Sequence, residues 1–244
     1  MVFLALTGMV SCKPTEKLNI DVQRSISNTA GRNILFKDDF SNWQDNWLAE
    51  SEKGYEIFFE KKSSYLDIVA QKGFTLWCKN PVNGDFKILL EALVVSEGGT
   101  LDRVSDLNFF WNAADPENPE NIFERKDFRS GIFGRYYSLK LYYIGIGGNS
   151  NTTTRFRKYD GDYHGFVNEG KRPAVITEFT DSAHLLKSNH WYKIEILVKG
   201  DKTQFYLDNE NLIDYTDNTI YNQGWFGIRT TENHMRIRNF VITR

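Results

Sequence analysis

Basic and aromatic side chains alternate in one short segment of the chain, and this spacing suits an anionic ligand. Arg155, Arg157 and Tyr159 fall on one side if the segment is extended, because successive side chains of a strand point to opposite faces. Two guanidinium groups on one face can bind a carboxylate or sulfate through paired hydrogen bonds. The ligand expected from this pattern is an acidic sugar such as a uronate. The alternative is that both arginines are structural ties to loop carboxylates such as Asp160 or Asp162.

A second alternating set lies in Tyr136–Ile146, which the pattern predicts to be a strand. Tyr136, Ser138, Lys140 and Tyr142 are expected on one face, while the residues between them are predicted to be core. Phenol rings pack against the C–H faces of sugars, and hydroxyl and ammonium groups bond to sugar hydroxyls. The set therefore predicts a sugar-binding platform, with a solvated outer sheet surface as the alternative.

Three more side chains extend this candidate surface. Asn108 and Phe110 share one face of the predicted strand Asp106–Trp111. An amide among aromatic side chains on a concave sheet often contacts ligand, but Asn108 could equally be a satisfied amide at a sheet edge. Trp77 could stack against a sugar ring or belong to the core.

Histidines and paired carboxylates are the remaining groups that could do chemistry. None of the four histidines has a metal-ligand spacing such as His-Glu-x-x-His. His164 and His234 lie near arginines in predicted loop or strand-end positions, where histidine can transfer protons near neutral pH. Asp38 and Asp39 could ligate a structural Ca²⁺, with Asn239 or backbone carbonyls completing the shell. No other cofactor is expected to be required.

Short apolar runs separated by Gly, Asn and Asp must position these side chains. No window has a sustained helical period, so the sequence predicts an all-β, two-sheet antiparallel β-sandwich with little helix. Two long polar segments, 112–135 and 147–189, are predicted to be functional loops. The predicted strands are Ile34–Phe40, Tyr65–Ala70, Thr75–Lys79, Phe86–Val95, Asp106–Trp111, Tyr136–Ile146, His190–Lys199, Thr203–Leu207, Gly224–Arg229 and Met235–Ile242.

The length and the charge of the chain limit its possible functions. The chain has 244 residues, which suits a single sandwich domain over residues 34–244. It carries 30 Lys and Arg against 32 Asp and Glu, and this balance gives no long-range attraction for nucleic acid. A nucleic-acid partner is therefore not expected.

The N-terminal residues resemble a lipoprotein signal. Residues 1–12 are apolar or small and end at Cys12, although no basic region precedes them, so a fortuitous apolar terminus is the alternative. Residues 13–33 are predicted to be a polar tether. The expected location is outside the cytoplasm, as a periplasmic or outer-membrane lipoprotein whose membrane contact is a lipid on Cys12. Cys78 would then have no disulfide partner.

Several motifs resemble concanavalin A-like lectin and glucanase domains, and the resemblance covers residues 34–244. It implies a jelly roll whose first and last strands pair in the back sheet. The motifs that carry it are Phe36-x-Asp38-Asp39-Phe40 with Trp43 or Trp47, Tyr206-Leu207-Asp208-Asn209, Gly224-Trp225-Phe226-Gly227-Ile228-Arg229, and Arg236-x-Arg238-Asn239-Phe240-x-Ile242.

The middle of the chain is similar to the YesU-like group of uncharacterised jelly rolls. That resemblance implies a context of bacterial pectin and rhamnogalacturonan utilisation, and it implies no particular reaction. The segments that carry it are Phe74–Cys78, Asp106–Phe110, Tyr142-Tyr143 and Asn151–Tyr159.

Three functions remain open for an acidic polysaccharide or oligosaccharide partner. The first is a polysaccharide lyase acting by β-elimination. Arg155 or Arg157 would neutralise the uronate carboxylate. Tyr142, Tyr159 or His164 would then move the α-proton.

The other two functions differ in whether the saccharide is cleaved. A glycoside hydrolase needs two suitably spaced carboxylates. The one-strand Glu/Asp pattern of laminarinase-like jelly rolls is absent, so loop residues such as Asp115 and Glu117 would have to supply them. A lectin-like protein would hold the saccharide on the same face without turnover.

Overall fold

A computed structural model describes residues 33–244 of the chain. The predicted signal segment 1–12 and nearly all of the tether 13–33 lie outside the described residues, so export and lipidation stay predictions. Between residues 33 and 244, no helix is long and apolar enough to cross a membrane.

Strands dominate the described part of the chain. They are β1 (Ile34–Asp38), β2 (Trp47–Ser51), β3 (Tyr55–Glu60), β4 (Tyr65–Cys78), β5 (Val82–Asn83), β6 (Phe86–Val94), β7 (Leu107–Ala114), β8 (Lys140–Gly147), β9 (Thr153–Asp160), β10 (Val175–Phe179), β11 (Tyr192–Lys199), β12 (Lys202–Leu207), β13 (Glu210–Thr216) and β14 (Gln223–Thr243).

Helical segments are short and lie between strands. The α-helical turns are α1 (Trp43–Asn46), α2 (Lys126–Arg129), α3 (Gly148–Asn151) and α4 (Tyr163–Glu169), and the 3₁₀ turns are Ile122–Arg125, Phe133–Ser138 and Ser182–His184.

Two long strands, β4 and β14, pass from one sheet to the other. The first half of β14 pairs with β7, and its second half pairs with β6. The pairing of β14 with β4 shifts register between Thr231 and Asn233, where Glu232 has a left-handed φ of 50°. Such a bulge bends the strand. The bend lets one continuous strand serve both layers of the sandwich.

The two layers are defined by these pairings. The front sheet has the order β10-β9-β8-β7-β14-β4-β2, using the first half of β14 and the second half of β4. The back sheet has the order β13-β12-β11-β6-β14-β4-β3, and β1 pairs with the end of β14. The predicted two-sheet antiparallel sandwich, with its first and last strands paired in the back sheet, is confirmed.

The centre of the front sheet is buried on both faces. Its inner face packs against the back sheet in the main core, which contains Phe109, Trp111 and Ile144. Its outer face carries a second apolar cluster that includes Trp77 and Phe110. A segment that we call the cover, residues 115–139 together with α4, packs on that outer face. A site on the front sheet must therefore lie beside or beneath the cover.

The predicted strands differ from the observed ones in several places, and β2, β3, β5 and β13 were not predicted. Two pairs of predicted strands are single long strands, β4 and β14. The predicted loops contain β9, α4 and β10, so much of 147–189 is regular structure. The predicted strand Tyr136–Ile146 begins only at Lys140, because the preceding residues form a 3₁₀ turn of the cover.

His234 ties the loop between β6 and β7 to the back sheet. Its Nε2 lies 2.7 Å from Asp67 Oδ1 and its Nδ1 lies 2.8 Å from Asp102 Oδ1. Asp67 also accepts a hydrogen bond of 2.9 Å from Arg236. These bonds, first the one to Asp67, raise the pKa of His234 above its ordinary value because they favour the charged imidazolium.

Raising the pH is expected to loosen this tie. The pKa of His234 is higher in the folded protein than in the unfolded chain, where it is near 6.5. The charged imidazolium therefore stabilises the fold fully below pH 6.5, and this stabilisation is lost as the pH rises through the folded pKa. We therefore expect the free energy of unfolding to fall as the pH rises above 6.5, and His234→Gln to reduce that slope. Urea unfolding at several pH values measures both. An unchanged slope in the variant would contradict this role.

Candidate functional site

One row of cross-strand neighbours runs across the whole front sheet. Because cross-strand partners share a face, their side chains point to the same side. This polar row contains, from β2 to β10, Glu50, Thr75, Arg229, Asn108, Gly145, Arg155 and Glu178.

The polar row is interrupted by a glycine, Gly145, whose missing side chain makes room for a neighbouring phenol. A Cβ built on Gly145 would collide with the hydroxyl of Tyr143 and would lie 3.0 Å from Asn108 Oδ1. Gly145 therefore lets the phenol of Tyr143 lie beside Asn108, and we call the region around this phenol and Asn108 Oδ1 the hollow. Asn108 is only 3% exposed, and its Oδ1 has no hydrogen-bond partner among the described residues.

Arg229 lies next to Asn108 in the row and is almost completely buried, at 1% exposure. Its Nη1 donates to Thr75 Oγ1 and its Nη2 to the carbonyl of Gly131, both at 3.0 Å. Its guanidinium lies 5.0 Å from the ring centre of Phe133 and 4.7 Å from that of Tyr136. Nε has no partner, and no carboxylate of the described residues lies within 4.0 Å.

The two arginines predicted from the sequence are on this face but differ in their partners. Arg155 forms two hydrogen bonds with Glu178, of 3.0 and 3.2 Å. Arg157 donates to the carbonyl of Pro173. Arg155 therefore pairs with a carboxylate, as expected if it has a structural role, and the carboxylate is that of Glu178. The carboxylates of Asp160 and Asp162 contact Lys171 instead.

Aromatic rings fill the space between the polar row and the cover. Trp77 stacks on Phe110 at 5.5 Å, and Phe110 stacks on Tyr136 at 5.4 Å. All three are fully buried, so they support the face from beneath the cover. Tyr159 is also fully buried, and burial raises its pKa well above the ordinary value, with Tyr143 and Tyr137 adding to the effect.

Tyr143 brings its phenol to the edge of the hollow. Burial raises the pKa of Tyr143, and the charge of Asp106 raises it further, whereas the charges of Arg229 and Arg157 lower it. The net shift is upward. The phenol is therefore protonated near neutral pH and can donate a hydrogen bond.

The predicted platform of Tyr136, Ser138, Lys140 and Tyr142 is wrong. The first two residues belong to the 3₁₀ turn of the cover, and Lys140 is exposed at the start of β8. Tyr142 points into the main core, where its hydroxyl donates to Asp217 at 2.6 Å. The neighbouring residue Tyr143 occupies the face that the sequence assigned to Tyr142.

The remaining predicted residues lie away from the hollow or serve as structural groups. His164 is exposed on α4. Asp38 is buried and its carboxylate accepts hydrogen bonds from the backbone of Phe40 and the side chains of Asn46 and Trp47. Residues 33–244 contain no cluster of three or more metal-binding side chains. The calcium site at Asp38 and Asp39 stays a prediction.

A buried ion cluster anchors the cover and was not found from the sequence. Arg129 of α2 contacts Glu50 of β2 at 2.6 Å, and both side chains are buried. Asp115 lies 3.6 Å from Arg129 and 3.2 Å from Arg125, and Arg125 also contacts Glu117 at 2.9 Å. The two loop carboxylates considered for hydrolysis, Asp115 and Glu117, are therefore both held by Arg125.

Comparisons with known proteins identify the type of fold. A protein family with the description "Domain of unknown function (DUF6250)" matches residues 68–240. No curated protein sequence matches the chain significantly. A Bacillus subtilis protein of unknown function with a galectin-like fold is similar in structure, with a TM-score of 0.65 and 15% identity over 86% of this chain and 96% of that chain.

Two further solved structures are similar. The carbohydrate-binding module CBM66 from Bacillus subtilis has a TM-score of 0.52 and 12% identity, over 82% of this chain and 96% of that chain. An endo-beta-1,3-glucanase from Pyrococcus furiosus has a TM-score of 0.51 and 9% identity, over 87% of this chain and 94% of that chain. At these identities the similarity confirms the jelly-roll fold.

Proposed function

The chain belongs to the DUF6250 family, and from that premise we propose that it binds an acidic saccharide in the hollow above Gly145. The observation that carries the proposal is the unpartnered Asn108 Oδ1 beside the protonated phenol of Tyr143. Buried polar groups normally have hydrogen-bond partners. An acceptor and a donor side by side are suited to sugar hydroxyls, which both donate and accept.

Uncompensated positive charge supports an acidic ligand. Arg229 and Arg157 have no carboxylate within 4.0 Å among the described residues, and both act on the phenol of Tyr143. Guanidinium groups bind carboxylate and sulfate through charge-assisted hydrogen bonds. The resemblance to the YesU-like group adds a pectic context, and a uronate is the acidic sugar that fits it.

The similarity of fold supports a role in saccharide binding, but it does not specify the ligand. One similar structure is a carbohydrate-binding module and another is a glucanase. The same fold thus supports both binding and hydrolysis, and function must be argued from the site. Export and a lipid on Cys12 remain part of this proposal, because they would place the protein where polysaccharide fragments are found.

A lyase is the second candidate, and the position of Tyr143 favours it. Its phenol lies near Arg157 and Arg229, and this arrangement resembles a proton-transfer group beside cations that neutralise a uronate. The raised pKa of the phenol argues against its acting as a base near neutral pH. Binding without turnover therefore fits the geometry better.

A saccharide panel tests these functions. Wild-type protein is expected to bind oligogalacturonate or rhamnogalacturonan fragments more tightly than neutral oligosaccharides of the same length, as measured by isothermal titration calorimetry. Asn108→Ala is expected to weaken binding at least about tenfold, which corresponds to about 1.4 kcal/mol. Lys193→Ala on the back sheet is the matched control and should bind like wild type.

The same samples separate the candidates. A rise in the ultraviolet absorbance of unsaturated uronate would show a lyase, and new reducing ends without that absorbance would show hydrolysis. Failure of every acidic and neutral saccharide to bind would contradict the proposed function.

A further inference from the structure

Arg229 is a buried cation without a counterion among residues 33–244. Removing a charge from water is costly unless a paired charge or good hydrogen bonds compensate. Arg229 instead has four uncharged contacts, which are Thr75, the Gly131 carbonyl and the rings of Phe133 and Tyr136. The other buried arginine of the described residues, Arg129 of the cover, is paired with Glu50. Arg229 therefore has unused capacity to bind an anion.

Two polar atoms without a partner among the described residues lie on neighbouring strands, and one is a donor whereas the other is an acceptor. Arg229 Nε is an unpartnered donor, and Asn108 Oδ1 is an unpartnered acceptor. The two residues are direct cross-strand partners in β14 and β7, so their side chains leave the same face side by side. One ligand spanning both must present an anionic oxygen to Arg229 and a hydroxyl proton to Asn108.

Phe133 controls the approach to this pair. Its ring lies over the guanidinium of Arg229 and is 38% exposed, whereas Tyr136 on the other side is fully buried. Phe133 follows Ser130 and Gly131, whose φ angles of 42° and 73° are left-handed. The ring of Phe133 is thus the outer layer above Arg229. Binding of a ligand at Nε requires this ring to move aside, because Nε is inaccessible to solvent.

We propose that Arg229 and Asn108 form a subsite for the non-reducing end of a uronate chain, a proposal that rests on the proposed function. A uronate carries its carboxylate on the ring carbon beside the one bearing O4. In a 1,4-linked chain, O4 carries a proton only at the non-reducing end. The carboxylate accepts from Arg229, the free O4 hydroxyl donates to Asn108 Oδ1, and Phe133 covers the terminal sugar.

Calorimetry with three trigalacturonates tests this subsite on the full chain. The first ligand is the free acid, the second has methyl-esterified carboxylates, and the third is methylated on the terminal O4. The free acid is expected to bind at least tenfold more tightly than either modified trimer. Arg229→Met should reduce the preference for the free acid over the ester. Arg135→Met is the matched control, because Arg135 also lies over a ring, that of Phe128, and has no carboxylate within 4.0 Å.

The outcomes separate the subsite from the proposed function. Equal binding of the free acid and the O4-methylated trimer overturns the subsite while leaving acidic-saccharide binding intact. Failure of all three trimers to bind also overturns the subsite, and it overturns the proposed function when the other acidic saccharides of the panel fail as well. Thermal melting shows whether Arg229→Met is folded. If it is not, the comparison of the three ligands on the wild-type protein decides the proposal.

Discussion

Replacing Glu50 with alanine is expected to lower the free energy of unfolding by about 3–5 kcal/mol, because the change leaves a buried arginine without its partner. Arg129 donates to both carboxylate oxygens of Glu50, with distances of 2.6 to 3.2 Å. The hydroxyl of Tyr136 donates to the same carboxylate at 2.6 Å. In the variant, Arg129 keeps only the carbonyl of Ile122 and the more distant Asp115.

Loss of Glu50 is also expected to loosen the cover. Glu50 lies on the edge strand β2, whereas Arg129 and Tyr136 lie in the cover, so these contacts join the cover to the front sheet. The second apolar cluster depends on that contact. We therefore expect Glu50→Ala to weaken the near-ultraviolet circular dichroism of the buried aromatic rings even where the sandwich remains folded.

Urea unfolding with linear extrapolation measures the stability effect. Glu195→Ala is the control, because Glu195 pairs with Lys87 on the back sheet and both side chains are partly exposed. Such a pair contributes about 0–1 kcal/mol. A loss in Glu50→Ala no greater than that of the control would show that the ion cluster does not hold the cover.

The second large effect is expected at Gly145, where a single methyl group should abolish saccharide binding. Alanine there places a Cβ against the hydroxyl of Tyr143 and 3.0 Å from Asn108 Oδ1. The methyl group displaces the phenol from its position beside Asn108. We expect affinity for an oligogalacturonate to fall at least about a hundredfold, or about 2.8 kcal/mol. Overpacking is expected to reduce stability by about 1–3 kcal/mol.

Gly148→Ala is the matched control for this substitution. The Cβ of an alanine there would find Thr153 Oγ1 at 3.3 Å as its nearest neighbour, and the position lies outside the polar row. Calorimetry and thermal melting of both variants separate lost binding from lost stability. Wild-type affinity in a folded Gly145→Ala protein would show that the saccharide does not enter the hollow.

Strand periodicity was sufficient to predict much of the candidate face. Asn108 and Phe110 share the outer face of β7, and Arg155, Arg157 and Tyr159 share that of β9, because side chains alternate strictly along a strand. The sandwich architecture followed from the same pattern. In these segments, the alternation of side chains along a strand is enough to predict which residues share a face.

The pattern failed at Tyr142 because both faces of the front sheet are apolar and aromatic. The core face of β8 carries Tyr142, Ile144 and Ile146, and the face beneath the cover carries Leu141 and Tyr143. Period-two alternation then shows that two faces exist but does not show which one faces the core. The 3₁₀ turn before Lys140 added a second error, since its tyrosines imitate the alternation of a strand.

Arg229 and the ion cluster could not be predicted because they depend on contacts between distant parts of the chain. Arg229 meets Asn108 only through the pairing of β14 with β7, and Glu50 meets Arg129 across 79 residues. One signal was present in the sequence. An arginine directly after the apolar run Gly224–Ile228 is a charge that the fold must bury or use.

A crystal structure of the protein with a bound trigalacturonate tests the central claim most directly. We expect an ordered sugar next to Gly145, with a hydroxyl at about 2.7–3.1 Å from the side chain of Asn108 and the carboxylate near Arg229. Ordered saccharide on the back sheet, with the hollow unoccupied, would contradict it.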